Sequence, residues 1–165
     1  DARFAHVFPV AAVTSCDDRL LLGVMGGATA NPGLAYPPSG SFDDDDRAAR
    51  RLDPVRNLAR ELAEEVGLDL ADFVPEPGWW VIGSGPRRFA LIKRHRSRLT
   101  AAEIEARVHH HLATDGDGEL AGIRLCPFDA PPPAERTVPY VAPLLALLAA
   151  GRAPLAPGQD AAAPL

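Results

Sequence analysis

Apolar and polar positions alternate in blocks along the chain, and the blocks predict a mixture of strands and helices. Apolar, partly β-branched runs bounded by turn residues are typical of strands, whereas recurrence at three and four positions is typical of helices. The predicted strands cover residues 4–13, 19–25, 79–82, 87–94 and 119–128, and the predicted helices cover residues 53–67, 100–113 and 138–150. Residues 15–18 supply a turn that makes the first two strands a hairpin or close neighbours. The order of elements predicts an α/β or α+β sandwich.

The segment from residue 53 to residue 67 is the best-defined helix. Asp53 suits the N-cap, Pro54 suits the first helical position, and Gly67 suits the C-terminal stop. At about 100° per residue, four apolar side chains share one arc of the helix, and this arc is expected to face the core. They are Val55, Leu58, Leu62 and Val66.

Three acidic side chains, Glu61, Glu64 and Glu65, fall on a neighbouring arc of the same helix. Like charges at this spacing repel one another, so a solvated surface is the simplest interpretation of the pattern. The order of the neighbouring elements favours a functional interpretation, because a strand and a Pro/Gly-rich loop (residues 26–40) precede the helix. Clustered carboxylates suit a hard divalent cation such as Mg²⁺, which prefers oxygen ligands. A cation would offset the repulsion.

Composition limits the classes of protein that the chain can belong to. It has 165 residues, 47% of them hydrophobic and 24% charged, with a formal net charge of −5. These values predict a globular domain over residues 1–150, and the Ala/Pro-rich residues 151–165 are expected to form a tail. A net negative chain is a poor candidate for binding duplex DNA. No uninterrupted apolar run approaches the roughly 18 residues that would span a bilayer, so no membrane partner is expected. Cys16 and Cys126 show no metal-ligand spacing, so a cytoplasmic protein with free thiols is expected.

Around this helix the sequence resembles the Nudix hydrolase family. The segment from Arg60 to Leu68 matches the second half of the Nudix box, R-E-U-x-E-E-x-G-U with U aliphatic, at every defined position. Residues 38–43 look like the P-G-G-x-x-E turn that opens the box, with Ser39 replacing one glycine. The resemblance extends over residues 4–150 and implies a Nudix-like α/β/α sandwich with a mixed sheet and a loop-helix-loop motif.

The first half of the box departs from the family pattern G-x5-E-x7-R. Leu52 stands eight residues before Arg60, where the family has an acid, and Asp46 stands six residues after Gly40. An insertion of about six residues within residues 44–52 accounts for both observations. Asp43 and Asp46 are therefore the two candidates for the first acid of the box.

The resemblance implies hydrolysis of a nucleoside diphosphate linked to another moiety, with Mg²⁺ or Mn²⁺ as cofactor. Carried over by position, Glu64 and Glu65 would bind the metal, and the carbonyl oxygen of Gly40 would be a further ligand. Glu61 would be a third carboxylate ligand or the base that orients water, and Arg60 would orient the glutamates. The alternative is a Nudix-fold module that binds a nucleotide, or regulates through it, with little or no turnover.

A later acid often completes such sites from outside the box. Glu119 sits just before a predicted strand, where many Nudix proteins carry this acid, and Asp115 and Asp117 are its competitors. All three would otherwise be ordinary turn or strand-edge acids.

Trp80 and Arg88 are the candidate substrate-binding residues. Adjacent tryptophans in a strand point to opposite faces, so one of Trp79 and Trp80 is expected in the core while the other can stack on a ligand. Core or interface packing is the alternative for both. Three consecutive histidines, residues 109–111, point about 100° apart on a helix and are not expected to chelate one ion. The expected partner is a small nucleotide-type diphosphate, and the apolar residues 7–13 and 138–150 leave room for a homodimer.

Overall fold

The computed structural model describes residues 4–48, 51–116 and 118–154. The strands are β1 (His6–Thr14), β2 (Arg19–Met25), β3 (Ala35–Tyr36), β4 (Arg47–Ala48), β5 (Arg51–Leu52), β6 (Val74–Pro75), β7 (Trp80–Gly83), β8 (Arg88–Arg96) and β9 (Leu120–Pro127). The helices are α1 (Pro54–Val66), α2 (Ala101–Thr114) and α3 (Val141–Ala149). All five predicted strands and all three predicted helices are confirmed, with ends that differ by at most three residues. Within the described residues, no helix has the length and apolar character needed to cross a membrane.

The main sheet is mixed. Strands β1 and β8 run parallel, whereas β1–β2, β2–β3, β2–β9, β6–β8 and β7–β8 are antiparallel pairs. Consecutive side chains of a strand point to opposite faces, so Val10 and Ala12 face one side of the sheet while Ala11 and Val13 face the other. All four are fully buried. Both faces of the sheet are therefore covered, as an α/β/α sandwich requires.

Each face of the sheet has its own apolar core. Helix α3 covers one face through Val141, Leu144 and Leu148. Helices α1 and α2 cover the other face, with Leu62 of α1 and Ile104 of α2 in the second core. This confirms the predicted α/β/α sandwich with a mixed sheet, and it places α1 against the sheet between two loops.

Several short pieces of secondary structure lie outside the predicted elements, and two of them precede α1. Strand β3 forms within the predicted loop of residues 26–40, and its two residues pair with Gly23 and Val24 of β2. The predicted insertion, residues 44–52, contains a short 3-10 helix, Asp44–Asp46, followed by the hairpin of β4 and β5. Helix α3 begins three residues later than predicted, and the Val138 N–H ahead of it donates to the carbonyl of Ala35. Of the predicted tail, only residues 151–154 are described.

Candidate metal and substrate site

The ends of helix α1 are fixed by the residues that the sequence indicates. The side chain of Asp53 accepts hydrogen bonds from two backbone N–H groups of the first turn, at 3.0 and 3.3 Å. Gly67 ends the helix in the left-handed conformation, at φ 66°, which glycine adopts without strain. Leu58, Leu62 and Val66 are fully buried and fix the orientation of the helix against the core. Val55, the fourth residue of the predicted apolar arc, lies in the first turn and is 45% exposed, so the prediction was wrong for this residue.

Arg60 lies at the centre of an ion-pair cluster with four carboxylates. Its guanidinium nitrogens are 3.1 Å from Asp43, 3.1 Å from Asp46, 2.8 Å from Glu61 and 3.0 Å from Glu64. The exposed fraction of the Arg60 side chain is 24%, so the pairs are partly shielded from water. The predicted role of Arg60 in orienting the glutamates is consistent with its contacts to Glu61 and Glu64.

Asp46 is the buried acid of this cluster. Its side chain has no exposed surface, whereas that of Asp43 is 48% exposed. The carboxylate of Asp46 accepts hydrogen bonds from Asn57 Nδ2 at 2.8 Å and from the Asp43 backbone N–H at 3.0 Å. Burial alone would raise the pKa of Asp46, but the hydrogen bonds from Arg60 and Asn57 outweigh it and hold the pKa below its usual range. Of the two candidates, Asp46 therefore has the interior position beside Arg60.

Glu61 and Gly40, both candidate metal ligands by the resemblance, are in close contact. A Cβ atom on Gly40 would overlap the carboxyl group of Glu61 in its present position, so a larger residue there would require that side chain to move. The Glu61 side chain is 13% exposed. Burial raises the pKa of Glu61, and the neighbouring charge of Arg60 acts in the opposite direction. The loop after β3 and helix α1 thus bring the backbone of Gly40 and the carboxyl group of Glu61 together.

Glu65 is the most deeply buried acid of helix α1, with 6% of its surface exposed. The Tyr36 hydroxyl donates to Glu65 Oε1 at 2.7 Å. The backbone of Ser39, close by, lowers the pKa of the same carboxyl group. Among the described residues, Glu65 Oε2 has no hydrogen-bond partner. Burial, together with the charges of Glu61 and Glu119, outweighs the bond from Tyr36 and raises the pKa of Glu65 to about 8.

Glu119 is the late acid that lies near this cluster. It lines a cavity of about 540 Å³ whose wall also includes Tyr36, Gly40 and Arg88. Its charge contributes to raising the pKa values of Glu61 and Glu65. Asp115 instead ends α2, where its carboxylate accepts a hydrogen bond from Thr114 at 2.7 Å, and it lines a different cavity beside Gly67. Asp117 lies outside the described residues.

The structure places the two candidate substrate-binding residues in different environments. Arg88 lines the cavity, and its guanidinium carbon lies 5.6 Å from the ring centroid of Phe8. Trp80 is only 5% exposed and packs in the core on the α3 side, so it is not brought to the cavity. The alternation predicted for the two tryptophans is present, but it turns Trp80 inward. Trp79 is half-buried, with the Lys93 ammonium 5.2 Å from its ring centroid.

The three consecutive histidines lie in different surroundings. His109 and His110 are exposed, and His111 Nε2 lies 3.2 Å from the Glu64 carbonyl oxygen, to which it can donate. A Cβ atom on Gly67 would overlap the His111 ring, so the glycine also makes room for α2. The interpretation of these histidines as a packed or solvated helix face is consistent with these contacts.

The carboxylate and carbonyl oxygens beside the cavity are of the kind that binds a hard divalent cation, although they do not surround a single point. Across residues 4–48, 51–116 and 118–154, no group of three or more acidic, histidine or cysteine side chains converges on one point. Arg60 draws Glu64 toward itself instead. The buried, unpartnered Oε2 of Glu65 is nevertheless an atom that a cation would satisfy, and carboxylate and carbonyl oxygens are the ligands that Mg²⁺ prefers.

No protein-family model matches the sequence, and no curated protein matches it either. Solved structures do match. A NUDIX hydrolase from Nitrosomonas europaea aligns over 91% of this chain and 92% of its own, at 16% identity and a TM-score of 0.59. The NUDIX domain of Shewanella oneidensis NrtR, complexed with ADP ribose, aligns over 91% and 89%, at 13% identity and 0.57. A NUDIX hydrolase from Alicyclobacillus acidocaldarius aligns over 90% and 93%, at 15% identity and 0.56.

These similarities establish the fold. The chain has the Nudix hydrolase fold, which confirms at that level the resemblance carried by the segment from Arg60 to Leu68. A bifunctional NMN adenylyltransferase/ADP ribose pyrophosphatase from Francisella tularensis also aligns, over 91% of this chain and 42% of its own, at 13% identity and a TM-score of 0.57.

Proposed function

We propose that this protein is a Nudix-type hydrolase that uses Mg²⁺ or Mn²⁺ to cleave the diphosphate linkage of a nucleoside diphosphate joined to another moiety. One observation carries the proposal. In a chain with the Nudix fold, the acids of the Arg60–Leu68 segment meet the Gly40 loop and Tyr36, beside a cavity that Glu119 and Arg88 also line.

The residues that would hold the cation are Glu61, Glu64, Glu65, Glu119 and the carbonyl of Gly40. A bound cation would neutralise charge on the diphosphate and lower the pKa of a coordinated water. Glu64 suits the binding of a cation because 58% of its side chain is exposed. Its ion pair with Arg60 is also weak, since it lies at the surface, and a cation can replace it. Glu61, held by Arg60 at 2.8 Å and close to Gly40, is the residue we assign to orienting the attacking water.

Arg88, which lines the same cavity, would contact the anionic part of the substrate. Its guanidinium presents several donors that match phosphate oxygens. Two of the similar structures carry ADP ribose in their names, one as a complex and one as a pyrophosphatase. ADP ribose is therefore the first compound to test.

The direct experiment incubates the protein with Mg²⁺ and a panel of ADP ribose, nucleoside diphosphate sugars and dinucleotides, and follows phosphorus-containing products by ³¹P NMR. Glu64→Gln and Glu65→Gln are expected to lower kcat/KM by about 100-fold or more, because each removes a ligand charge. Glu105→Gln is the matched control, since Glu105 is exposed on α2. Equal activity in all three variants would contradict the proposed site.

A second candidate function is a nucleotide-binding or regulatory module with little turnover. Two observations favour it: Leu52 stands where the family has an acid, and the acids of the described residues do not converge into a closed shell. Isothermal titration with ADP ribose separates the two functions. Binding without products over the whole panel would support the module, whereas Mg²⁺-dependent products would support the hydrolase.

A further inference from the structure

Tyr36 is a buried residue of the cavity that belongs to no recognised motif of the sequence. It lies on β3, where its backbone pairs with Gly23 of β2, and its side chain is 4% exposed. Its hydroxyl donates to Glu65 Oε1 at 2.7 Å, across 29 residues of sequence. A hydrogen bond from a phenol to a carboxylate is charge-assisted and short, so it fixes the geometry of its acceptor.

The two oxygens of Glu65 are in different situations because of this bond. Oε1 accepts from Tyr36, whereas Oε2 is buried and has no partner among the described residues. A buried carboxylate oxygen without a donor costs free energy unless a cation or water satisfies it. Rotation of the carboxylate plane would turn the unpartnered oxygen away from its present direction, and the Tyr36 bond opposes that rotation.

We propose that Tyr36 is a positioning residue, whose phenol holds Oε1 of Glu65 so that Oε2 stays directed to a divalent cation. The inference rests on the proposed function, because it assumes that Glu65 is a ligand. It adds a residue of β3, outside the Arg60–Leu68 segment, to the groups that determine cation affinity. Partners of metal ligands typically change affinity by 10- to 100-fold when they are lost.

The test compares two phenol deletions. Tyr36→Phe removes the hydroxyl that contacts Glu65, and Tyr140→Phe removes an equally buried hydroxyl whose neighbour, at 3.4 Å, is Ser39 Oγ instead. Mn²⁺ binding is measured directly by electron paramagnetic resonance of the free ion, without substrate. We expect the dissociation constant to rise about 10-fold in Tyr36→Phe, and less than about twofold in Tyr140→Phe.

A double-mutant cycle separates positioning from a general loss of stability. In a Glu65→Gln background, Tyr36→Phe should no longer change Mn²⁺ affinity, because the ligand that it orients is already gone. A merely structural role would lower the affinity by the same factor in both backgrounds. Thermal midpoints of all four proteins test whether each is folded. If Tyr36→Phe alone is unstable, the cycle is measured with Tyr36→His in its place.

Kinetics supply a second readout. In Tyr36→Phe, the Mn²⁺ concentration for half-maximal activity should rise about 10-fold, while KM for ADP ribose at saturating Mn²⁺ stays within about twofold. If the parent binds Mn²⁺ and Tyr36→Phe binds it equally well, the positioning role is overturned and the proposed function stands. If the parent binds no Mn²⁺, the proposed metal-dependent function fails, and the positioning role fails with it.

Discussion

Helix α1 has an apolar face and a charged face, and the two differ in what they contribute. Leu58, Leu62 and Val66 have no exposed surface. On the charged face, Arg60 is 24% exposed and its partner Glu64 is 58% exposed. Burial of an apolar side chain stabilises a protein by roughly 1.5–3 kcal/mol, whereas an exposed ion pair contributes about 0–1 kcal/mol. Substitutions on the two faces should therefore separate folding from activity.

The largest loss of stability is expected on the apolar face. Leu62→Ala should lower the free energy of unfolding by about 2–5 kcal/mol, because it leaves a cavity between α1 and the sheet. Leu52→Ala is the matched control, since that leucine is 50% exposed, and it should cost less than about 1 kcal/mol. Denaturant titration measures both. Similar losses at the two leucines would show that α1 is not anchored by its apolar face.

The next largest effect is expected at the buried end of the charged face. Asp46→Asn should lower the free energy of unfolding by about 1.5–3 kcal/mol, because it removes the charge that accepts from Arg60 and Asn57. Asp43→Asn should cost less than about 1 kcal/mol, since Asp43 is half-exposed. Denaturant titration of the two variants tests which aspartate has the role of the missing first acid. A larger loss at Asp43 would reverse the assignment.

The comparison of faces also shows how far the sequence predicts the structure. Helix α1 was predictable to within a residue because its signals are local: a cap at Asp53, a stop at Gly67 and an apolar period between them. Strand β3 was not predictable, since it has two residues and forms only by pairing with β2. The hairpin of β4 and β5 was missed although its pairing is local, because each of its strands also has only two residues. Hydrophobic patterns predict the long elements, whereas a two-residue strand is too short to show a period.

The candidate site follows the same division. The motif residues Glu61 and Gly40 meet as the resemblance implies. Tyr36 was missed because its contact with Glu65 spans 29 residues and no spacing rule connects them. For the tryptophan pair, the period of a strand predicted that one ring faces inward. It did not predict that the inward ring is Trp80, since this depends on the register of β7 with β8.

The dependence of stability on pH should distinguish Glu65, which is buried without a cationic partner among the described residues, from the carboxylates that pair with Arg60. The pKa of Glu65 is raised from 4.5 to about 8, so the folded protein holds this proton more tightly than the unfolded chain. Between pH 4.5 and about 8, the cation-free protein should therefore lose stability as pH rises, by at most about 1.4 kcal/mol per pH unit from this group. Glu65→Gln has no carboxyl group at this position, so its stability should fall less over the same pH range. Denaturant titrations at several pH values measure the free energy of unfolding of both proteins, and parallel profiles would contradict the raised pKa of Glu65.

Saturating Mn²⁺ sharpens the same measurement. Because a cation binds the ionised carboxylate, it should stabilise the parent more at pH 8 than at pH 5. Glu65→Gln should gain less from Mn²⁺ at the higher pH. An equal gain in both proteins would place the cation away from Glu65.

The smallest effect on stability is expected at the exposed end of the charged face, where the effect on activity is large. Glu64→Gln removes an ion pair between helix positions four apart, which typically contributes about 0.3–0.5 kcal/mol. The free energy of unfolding should therefore stay within about 0.5 kcal/mol of the parent, while kcat/KM falls by about 100-fold. Denaturant titration and steady-state kinetics on the same preparation test this. A variant that lost stability and activity together would mean that Glu64 supports the helix, and the division between the two faces would not hold.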